Sequence, residues 1–356
     1  MKPGAKDYLI IGGGLGGSFL AAQLAARGHH VHLADDTDPH AASRVAAGLF
    51  NVITGRFGAL SWRAPELLAG LNDFFEHPLF SSLSKHLHFS PIYRPFKAVG
   101  EYNKWLNRIQ ESRFKPFASF QETPLLPSTL TNPHGGIMIQ QCGWLEINDF
   151  LAALKIKLQQ KGFITIYPET VNVSDLDLTS KRVKFSSGWL DFDELIFSTG
   201  YRSVSNELFP KIPIIPNKGE TLLVHAPEWQ LPFVLSRKVY VIPKQNHQYV
   251  VGATYRNQFT IKDPSKEGKE EILAHLGAAL PPPKRILTHQ AGIRPTTPDR
   301  KPILGTHSQH SFVHIFTGFG SKGVLYAPRF SNVMCEYLLG KTRNIPEEVH
   351  LNRFEK

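Results

Sequence analysis

The first apolar run of the chain, Tyr8-Leu9-Ile10-Ile11, is short and unbroken, the pattern of a buried parallel strand. Gly12-Gly13-Gly14-Leu15-Gly16-Gly17 follows directly. Leu20 and Leu24, spaced i, i+4 among Ala21, Ala22, Ala25 and Ala26, then predict a helix that Gly28 stops. Val31-His32-Leu33-Ala34 predicts a second strand, ending at Asp35 and Asp36. Far downstream, Leu195-Ile196-Phe197 predicts a strand that runs into Ser198-Thr199-Gly200. His314-Ile315-Phe316-Thr317 predicts another. It leads through Gly318-Phe319-Gly320-Ser321-Lys322-Gly323 to a helical pattern carried by Val324, Leu325, Met334, Tyr337, Leu338 and Leu339. Pro328 is expected to kink or interrupt that helix early.

Strand, glycine turn, helix, strand and terminal acid form, in that order, a dinucleotide-binding unit. Gly12 permits the tight turn, Gly14 lets backbone approach a pyrophosphate, and Gly17 lets helix and strand pack closely. Leu15 and Gly16 open the helix, whose N-terminus offers unpaired N–H groups and its dipole. Asp35 stands eighteen residues after Gly17, where an acid meets a ribose hydroxyl. Gly318, Gly320 and Gly323 repeat the spacing, but no acidic strand end follows them. A glycine-rich helix start can instead stabilise negative charge on a reduced flavin ring. One dinucleotide unit and this late element favour FAD reduced directly by substrate over NAD. The strands return to the sheet after long excursions, so the cofactor domain is expected to be discontinuous.

Length and composition narrow the picture. At 356 residues the chain has room for about two domains. Two cysteines, Cys142 and Cys335, exclude a disulfide framework and suit a reducing compartment. No apolar run reaches spanning length, and the N-terminal stretch to Asp7 is polar, so a soluble, cytoplasmic protein is expected. The formal charge of +10 is compatible with an anionic substrate or with RNA. Basic residues between Tyr93 and Phe117 (Arg94, Lys97, Lys104, Arg108, Arg113, Lys115) interleave with Tyr102, Trp105 and Phe114. That pattern can bind RNA, and equally makes a solvated amphipathic surface, which is the reading taken. His29, His30 and His32 crowd one strand, and His86 and His88 alternate. No cysteine or carboxylate accompanies them at metal-site spacing, so no metal is expected. No G-x-S-x-G elbow supports a hydrolase.

The chain resembles the FAD-dependent D-amino-acid oxidase superfamily, which includes glycine oxidase, sarcosine oxidase and the oxidase half of the tRNA 5-methylaminomethyl-2-thiouridine biosynthesis enzyme. Besides the opening glycines, the resemblance rests on Ala42-Ser43-Arg44-Val45-Ala46-Ala47-Gly48-Leu49 and on Gly143-Trp144-Leu145, which opens a helix. It continues in Tyr240-Val241-Ile242-Pro243 with Val251-Gly252-Ala253-Thr254, and in Gly292-Ile293-Arg294-Pro295 with Asp299, Pro302 and Gly305 before Gly318. It implies an α/β fold of the D-amino-acid oxidase type: a Rossmann-like FAD-binding domain (1–80, 141–205 and 285–356) plus a substrate domain with a mixed β-sheet (81–140 and 206–284).

By position, the resemblance implies FAD contacts at Gly12, Gly14, Leu15, Gly16, Gly17, Asp35, Asp36, Ser43, Arg44, Ala47, Gly48 and Leu49. Further contacts are implied at Val171, Thr199, Gly200, Gly318, Gly320, Ser321, Lys322, Gly323 and Val324. Arg294 falls where the family holds a substrate carboxylate, and Tyr240 at a substrate-site tyrosine. Ser321 stands where the family often has arginine, and Lys322 could add positive charge beside the flavin. Gly292 occupies the place of the cysteine that tethers FAD in sarcosine oxidases, which implies non-covalent FAD. The implied activity is hydride transfer from the C–N carbon of a small amine or amino acid to flavin. Rival readings are a tRNA wobble-uridine side-chain oxidoreductase, which is not favoured, and a flavin-binding partner protein without turnover. For the residues themselves, Arg294 could pair with Asp299, Tyr240 could be a packed strand aromatic, and Lys322 a solvated helix-start lysine.

Overall fold

The computed structural model describes residues 6–55, 58–121 and 129–354; residues 1–5 of the polar opening stretch lie outside it. Two large sheets organise the chain. The first has six strands in the spatial order Ile164–Tyr167, His30–Ala34, Asp7–Ile11, Glu194–Phe197, Val313–Thr317 and Ile303–Thr306. All neighbours run parallel except the last pair. Tyr8, Leu9 and Ile10 are fully buried, as a central parallel strand covered on both faces requires. On one face lie the helices Leu15–Ala26, Ile147–Gln160 and Gly323–Leu338. On the other a three-stranded meander packs Val183 and Phe185 against Leu9, Ile11 and Val313.

Helix Leu15–Ala26 is buried on nearly every side, alanines included. Its small residues allow helix Gly323–Leu338 to lie against it, and Phe19 meets Phe74 and Phe150 at ring distances of 4.5 and 5.2 Å. Gly28, at φ +87°, follows its end in the left-handed conformation that glycine adopts cheaply. Helix Gly323–Leu338 does not break at Pro328 but runs through it. Pro328 and the residues around it are buried, so packing offsets the missing N–H. Gly143–Leu145 is a short strand between Leu49–Phe50 and Leu87–Phe89, and the helix expected there starts at Ile147.

The second sheet has eight strands: Arg285–Thr296, Ile215–His225, Gln248–Gly252, Tyr240–Pro243, Val234–Ser236, Ile92–Pro95, Gly136–Ile139 and Ala118–Gln121. Only the Val234–Ser236/Ile92–Pro95 pairing is parallel, so the sheet is mixed. Arg285–Thr296, placed by sequence in the cofactor domain, pairs along eleven residues of Ile215–His225 in this sheet, and the first sheet resumes at Ile303. Of the aromatics between Tyr93 and Phe117, Trp105 and Phe114 are buried core residues, and Tyr102 is half-buried against Phe96 and Phe120. Among the described residues, no helix is long and apolar enough to cross a membrane.

Candidate active site

The opening strand delivers Gly12 at φ +110°, and a Cβ there would fall 2.3 Å from the Ser198 carbonyl oxygen. A Cβ on Gly17 would fall 1.9 Å from the Gly12 oxygen, so Gly17 serves helix–strand packing. Gly14 caps the helix. The Leu15 N–H donates to the Ser43 hydroxyl at 3.0 Å, and Gly16 and Gly17 are left with first-turn N–H groups that a helix cannot satisfy itself.

The two acids at the end of the second strand divide. Asp35 lies against Gly13, where a Cβ would sit 2.4 Å from its carboxylate, and accepts from Lys155 at 2.5 Å. Asp36 is already engaged by the Thr170 hydroxyl at 2.8 Å and by Arg202. Burial would raise its pKa, but those hydrogen bonds outweigh burial and hold the carboxyl below its usual range.

The closing turn meets the opening one. A Cβ on Gly16 would touch the Phe319 ring at 2.6 Å, and one on Gly323 would lie 3.1 Å from Leu15 Cδ1. Gly320, at φ +52°, donates to the Pro295 carbonyl at 3.0 Å. Helix Gly323–Leu338 starts here, and Gly323 and Val324 contribute open first-turn N–H groups. Lys322 is half-buried rather than solvated and has no carboxylate partner among the described residues. Burial, then the nearby Arg300 charge, pushes its ammonium pKa down. Ser321 is exposed.

Arg294 projects from strand Arg285–Thr296 over Gly219 of the neighbouring strand; a Cβ on Gly219 would fall 2.1 Å from Nη2. Its Nη1 donates to Asn217 Oδ1 at 2.8 Å and to the Thr254 carbonyl at 3.3 Å, and Tyr255 lies 5.5 Å away. The alternative partner Asp299 is taken by Arg353 at 2.9 and 3.2 Å, and Arg294 pairs with no carboxylate among the described residues. Tyr240 stands beside the guanidinium. Burial pushes its phenol up to about 12, with the Arg294 charge pulling the other way.

These parts line one cavity of about 1680 Å³. Ordinary small-molecule pockets measure ~300–1,000 Å³, so there is room for a dinucleotide together with a small substrate. Of the residues singled out by sequence, all line it except Gly17, Arg44 and Gly318. Arg44 lies 3.6 Å from Asp35, and Gly318 packs towards Thr297. Asn217, which orients Arg294, and the wall residues Gly219, Tyr255, Arg237 and Lys238 escaped sequence reading. Only strand register brings them to the cavity. The bare glycine turn, the open N–H groups at two helix starts and the acid at the strand end fit FAD.

The family profile described as DAO, FAD dependent oxidoreductase, matches residues 7–337. Glycine oxidase of Pseudomonas putida is 22% identical, with 94% of this chain and 95% of that protein covered. The bifunctional protein ThiO/ThiG of Trichormus variabilis is 24% identical over 99% of this chain and 55% of its own length. For the tRNA 5-methylaminomethyl-2-thiouridine biosynthesis bifunctional protein MnmC of Idiomarina loihiensis the values are 22%, 98% and 59%. The chain thus spans little more than half of those two relatives. The crystal structure of glycine oxidase from Geobacillus kaustophilus superposes with a TM-score of 0.81 at 20% identity, covering 98% of this chain and 99% of that one. With the profile match running almost from end to end, the chain belongs to the DAO family of FAD-dependent oxidoreductases.

Proposed function

We propose that this protein oxidises the C–N bond of a small amine or amino acid that carries a carboxylate, with FAD bound non-covalently. The observation that carries the reading is Arg294: a half-buried guanidinium on the cavity wall, with Nε and Nη2 donating to no described residue. An enclosed charge without a partner is costly, and a substrate carboxylate would complete the planar fork. Asn217 and the Thr254 carbonyl hold the guanidinium in place, which fixes the anchored molecule relative to the closing turn. Tyr240, neutral at ordinary pH, is a hydrogen-bond donor beside that anchor.

The turn Gly12–Gly16, Ser43 and Asp35 would hold the dinucleotide part of FAD, and Gly320–Val324 the ring end. When bound, the isoalloxazine supplies the hydride acceptor for the carbon that bears the amine. Lys322 and the N–H groups of Gly323 and Val324 direct positive potential into the same region. Non-covalent attachment is supported at Gly292, where a Cβ would fall 2.9 Å from Val45 Cβ and leave no room for a tethering side chain. Cys142 and Cys335 are buried, and neither lines the cavity.

An anaerobic panel of amino acids and secondary amines, followed by flavin absorbance, tests the reading. At least one carboxylate-bearing amine is expected to bleach the flavin, and Arg294→Ala to lower kcat/KM for it by about 100-fold. A colourless protein that takes up no FAD overturns the reading. Flavin that no amine reduces would point instead to a flavin-binding partner without turnover. Acid precipitation should release the flavin into the supernatant; a yellow pellet overturns non-covalent binding.

One observation favours a second reading, a modified uridine in tRNA as substrate. Arg94, Lys97, Arg237 and Lys238 stand together on the cavity wall, with Glu101 paired to Arg94 at 3.2 Å; burial, and then the neighbouring cations against the pull of Glu101, push the Lys97 ammonium pKa down. Such a cluster suits a phosphate backbone. Salt-sensitive tRNA binding would support this reading, and no binding at low salt would remove it.

A further inference from the structure

At the opposite end of the first sheet from the cavity, three side chains converge for which the redox chemistry has no use. His30 and His32 lie two residues apart on one strand and so share a face. Asp7 is paired with His30 in the parallel register and projects on the same side. Asp7 Oδ1 is 3.6 Å from His30 Nδ1 and 3.9 Å from His32 Nε2, and one ligand atom from each of the three lies within 4.8 Å of the others. Tetrahedral coordination with bonds of ~2.1 Å places ligand atoms ~3.4 Å apart, so Asp7 stands within a few tenths of an ångström of that spacing from each histidine, and the set as a whole must draw in by up to about 1.4 Å to hold an ion. No carboxylate stands at metal-site spacing from these histidines in the sequence; strand pairing brings Asp7 to them.

We propose that Asp7, His30 and His32 form a binding site for a divalent transition-metal ion such as Zn²⁺. The remaining ring nitrogens support the assignment. His30 Nε2 lies 3.3 Å from the Thr165 hydroxyl and His32 Nδ1 3.4 Å from the Tyr167 hydroxyl, both on the adjacent strand. Each imidazole is thus held from behind with its other nitrogen turned to the same carboxylate oxygen, the outer-partner arrangement of metal-binding histidines. Side-chain exposures of 39% for Asp7, 21% for His30 and 11% for His32 leave a path for the ion and a coordination position for water. Asp7 begins the strand that ends at Ile11 beside Gly12, ~13 Å of extended chain away, so the ion would clamp the foot of the sheet and take no part in electron transfer.

The test uses untagged holoenzyme stripped with a chelator and titrated with Zn²⁺ against a chromophoric competitor, with flavin absorbance reporting an intact cofactor domain. One tight Zn²⁺ per chain is expected, with a rise in Tm that tracks Zn²⁺ concentration. Asp7→Asn and His30→Gln should each weaken binding by at least about 100-fold. Thr165→Val should weaken it by about 10–100-fold, and His225→Gln, a histidine elsewhere, should leave it unchanged. If the parent chain holds no tight Zn²⁺, or if Asp7→Asn binds as tightly as the parent, the cluster is a hydrogen-bonded group only and the proposal fails. Both outcomes are read without reference to amine oxidation.

Discussion

Gly219 leaves the space that the Arg294 guanidinium fills, so the proposed anchor depends on a residue that has no side chain of its own to offer a ligand. A methyl group there would sit within 2.3 Å of the Arg294 Cζ. The guanidinium is the far end of a flexible side chain and would swing away rather than break the sheet. Gly219→Ala is therefore expected to raise KM for carboxylate-bearing amines by about 10–100-fold while Tm falls little, which steady-state kinetics beside thermal melts would check. Tyr240 leads to a different expectation. With its phenol pushed up to about 12, it stays protonated well past pH 10. Tyr240→Phe should keep the parent's kcat/KM–pH profile between about pH 6 and 10, whatever it does to the absolute rate; a lost alkaline limb would refute this. Arg294 was legible because Gly292-Ile293-Arg294-Pro295 is a contiguous signature. Asn217 and Gly219 were not, because they stand more than seventy residues earlier and only strand register brings them beneath it.

Strand Ile215–His225 carries two jobs on its two faces. Asn217, Gly219 and Thr221 stand towards the cavity, while Lys218 and Glu220 are buried on the reverse. Glu220 accepts from the Ser265 N–H and hydroxyl at 2.9 and 2.8 Å, lies 3.1 Å from Lys218 and 2.8 Å from His289, and so moors helix Lys266–Leu276, which Ser265 caps. Gly268 makes the approach possible, since a Cβ there would fall 2.2 Å from Glu220 Oε2. Burial would raise the Glu220 pKa, but the Ser265 hydrogen bonds and then Lys218 outweigh it and hold the carboxyl below its ordinary value. A lowered carboxyl pKa stabilises the fold fully above about pH 4.5, and that contribution fades as pH drops through the folded value. Glu220→Gln, which leaves the buried Lys218 ammonium with the Asp263 carbonyl but no counter-charge, is expected to cost on the order of 3 kcal/mol at pH 7 and to flatten the acid limb of stability, as denaturant melts across pH would read. Periodicity could not announce this strand's interior, because alternation assigns polar residues to solvent and here both faces are enclosed. The opening strand and helix were legible for the opposite reason: their apolar run, glycine spacing and cap are all local.

The cavity walls come from parts of the chain more than three hundred residues apart, from Gly12 to Val324, and two sheets enclose one space. FAD seated there would touch both glycine turns at once. Tm should therefore rise with free FAD, by the equivalent of about 2.7 kcal/mol at a hundredfold excess over Kd. Amide exchange should slow together in residues 12–17 and 319–325; slowing in one turn alone would contradict a shared occupant. What escaped sequence reading at this scale was meeting rather than identity: the cations Arg237 and Lys238 beside Lys97, and Asp7 beside His30, are joined by pairings that no local pattern encodes. The interlocking of Gly16 with Phe319 has a further consequence, for biosynthesis. While a ribosome is still adding the middle of the polypeptide, the small-residue flank of helix Leu15–Ala26 has nothing to lie against, and it stays bare until residue 323 and beyond have emerged. Capture of the dinucleotide is thus expected late in the life of the nascent chain, and a delay in translating the final segment is expected to lengthen the interval during which an unfinished nucleotide fold stands exposed.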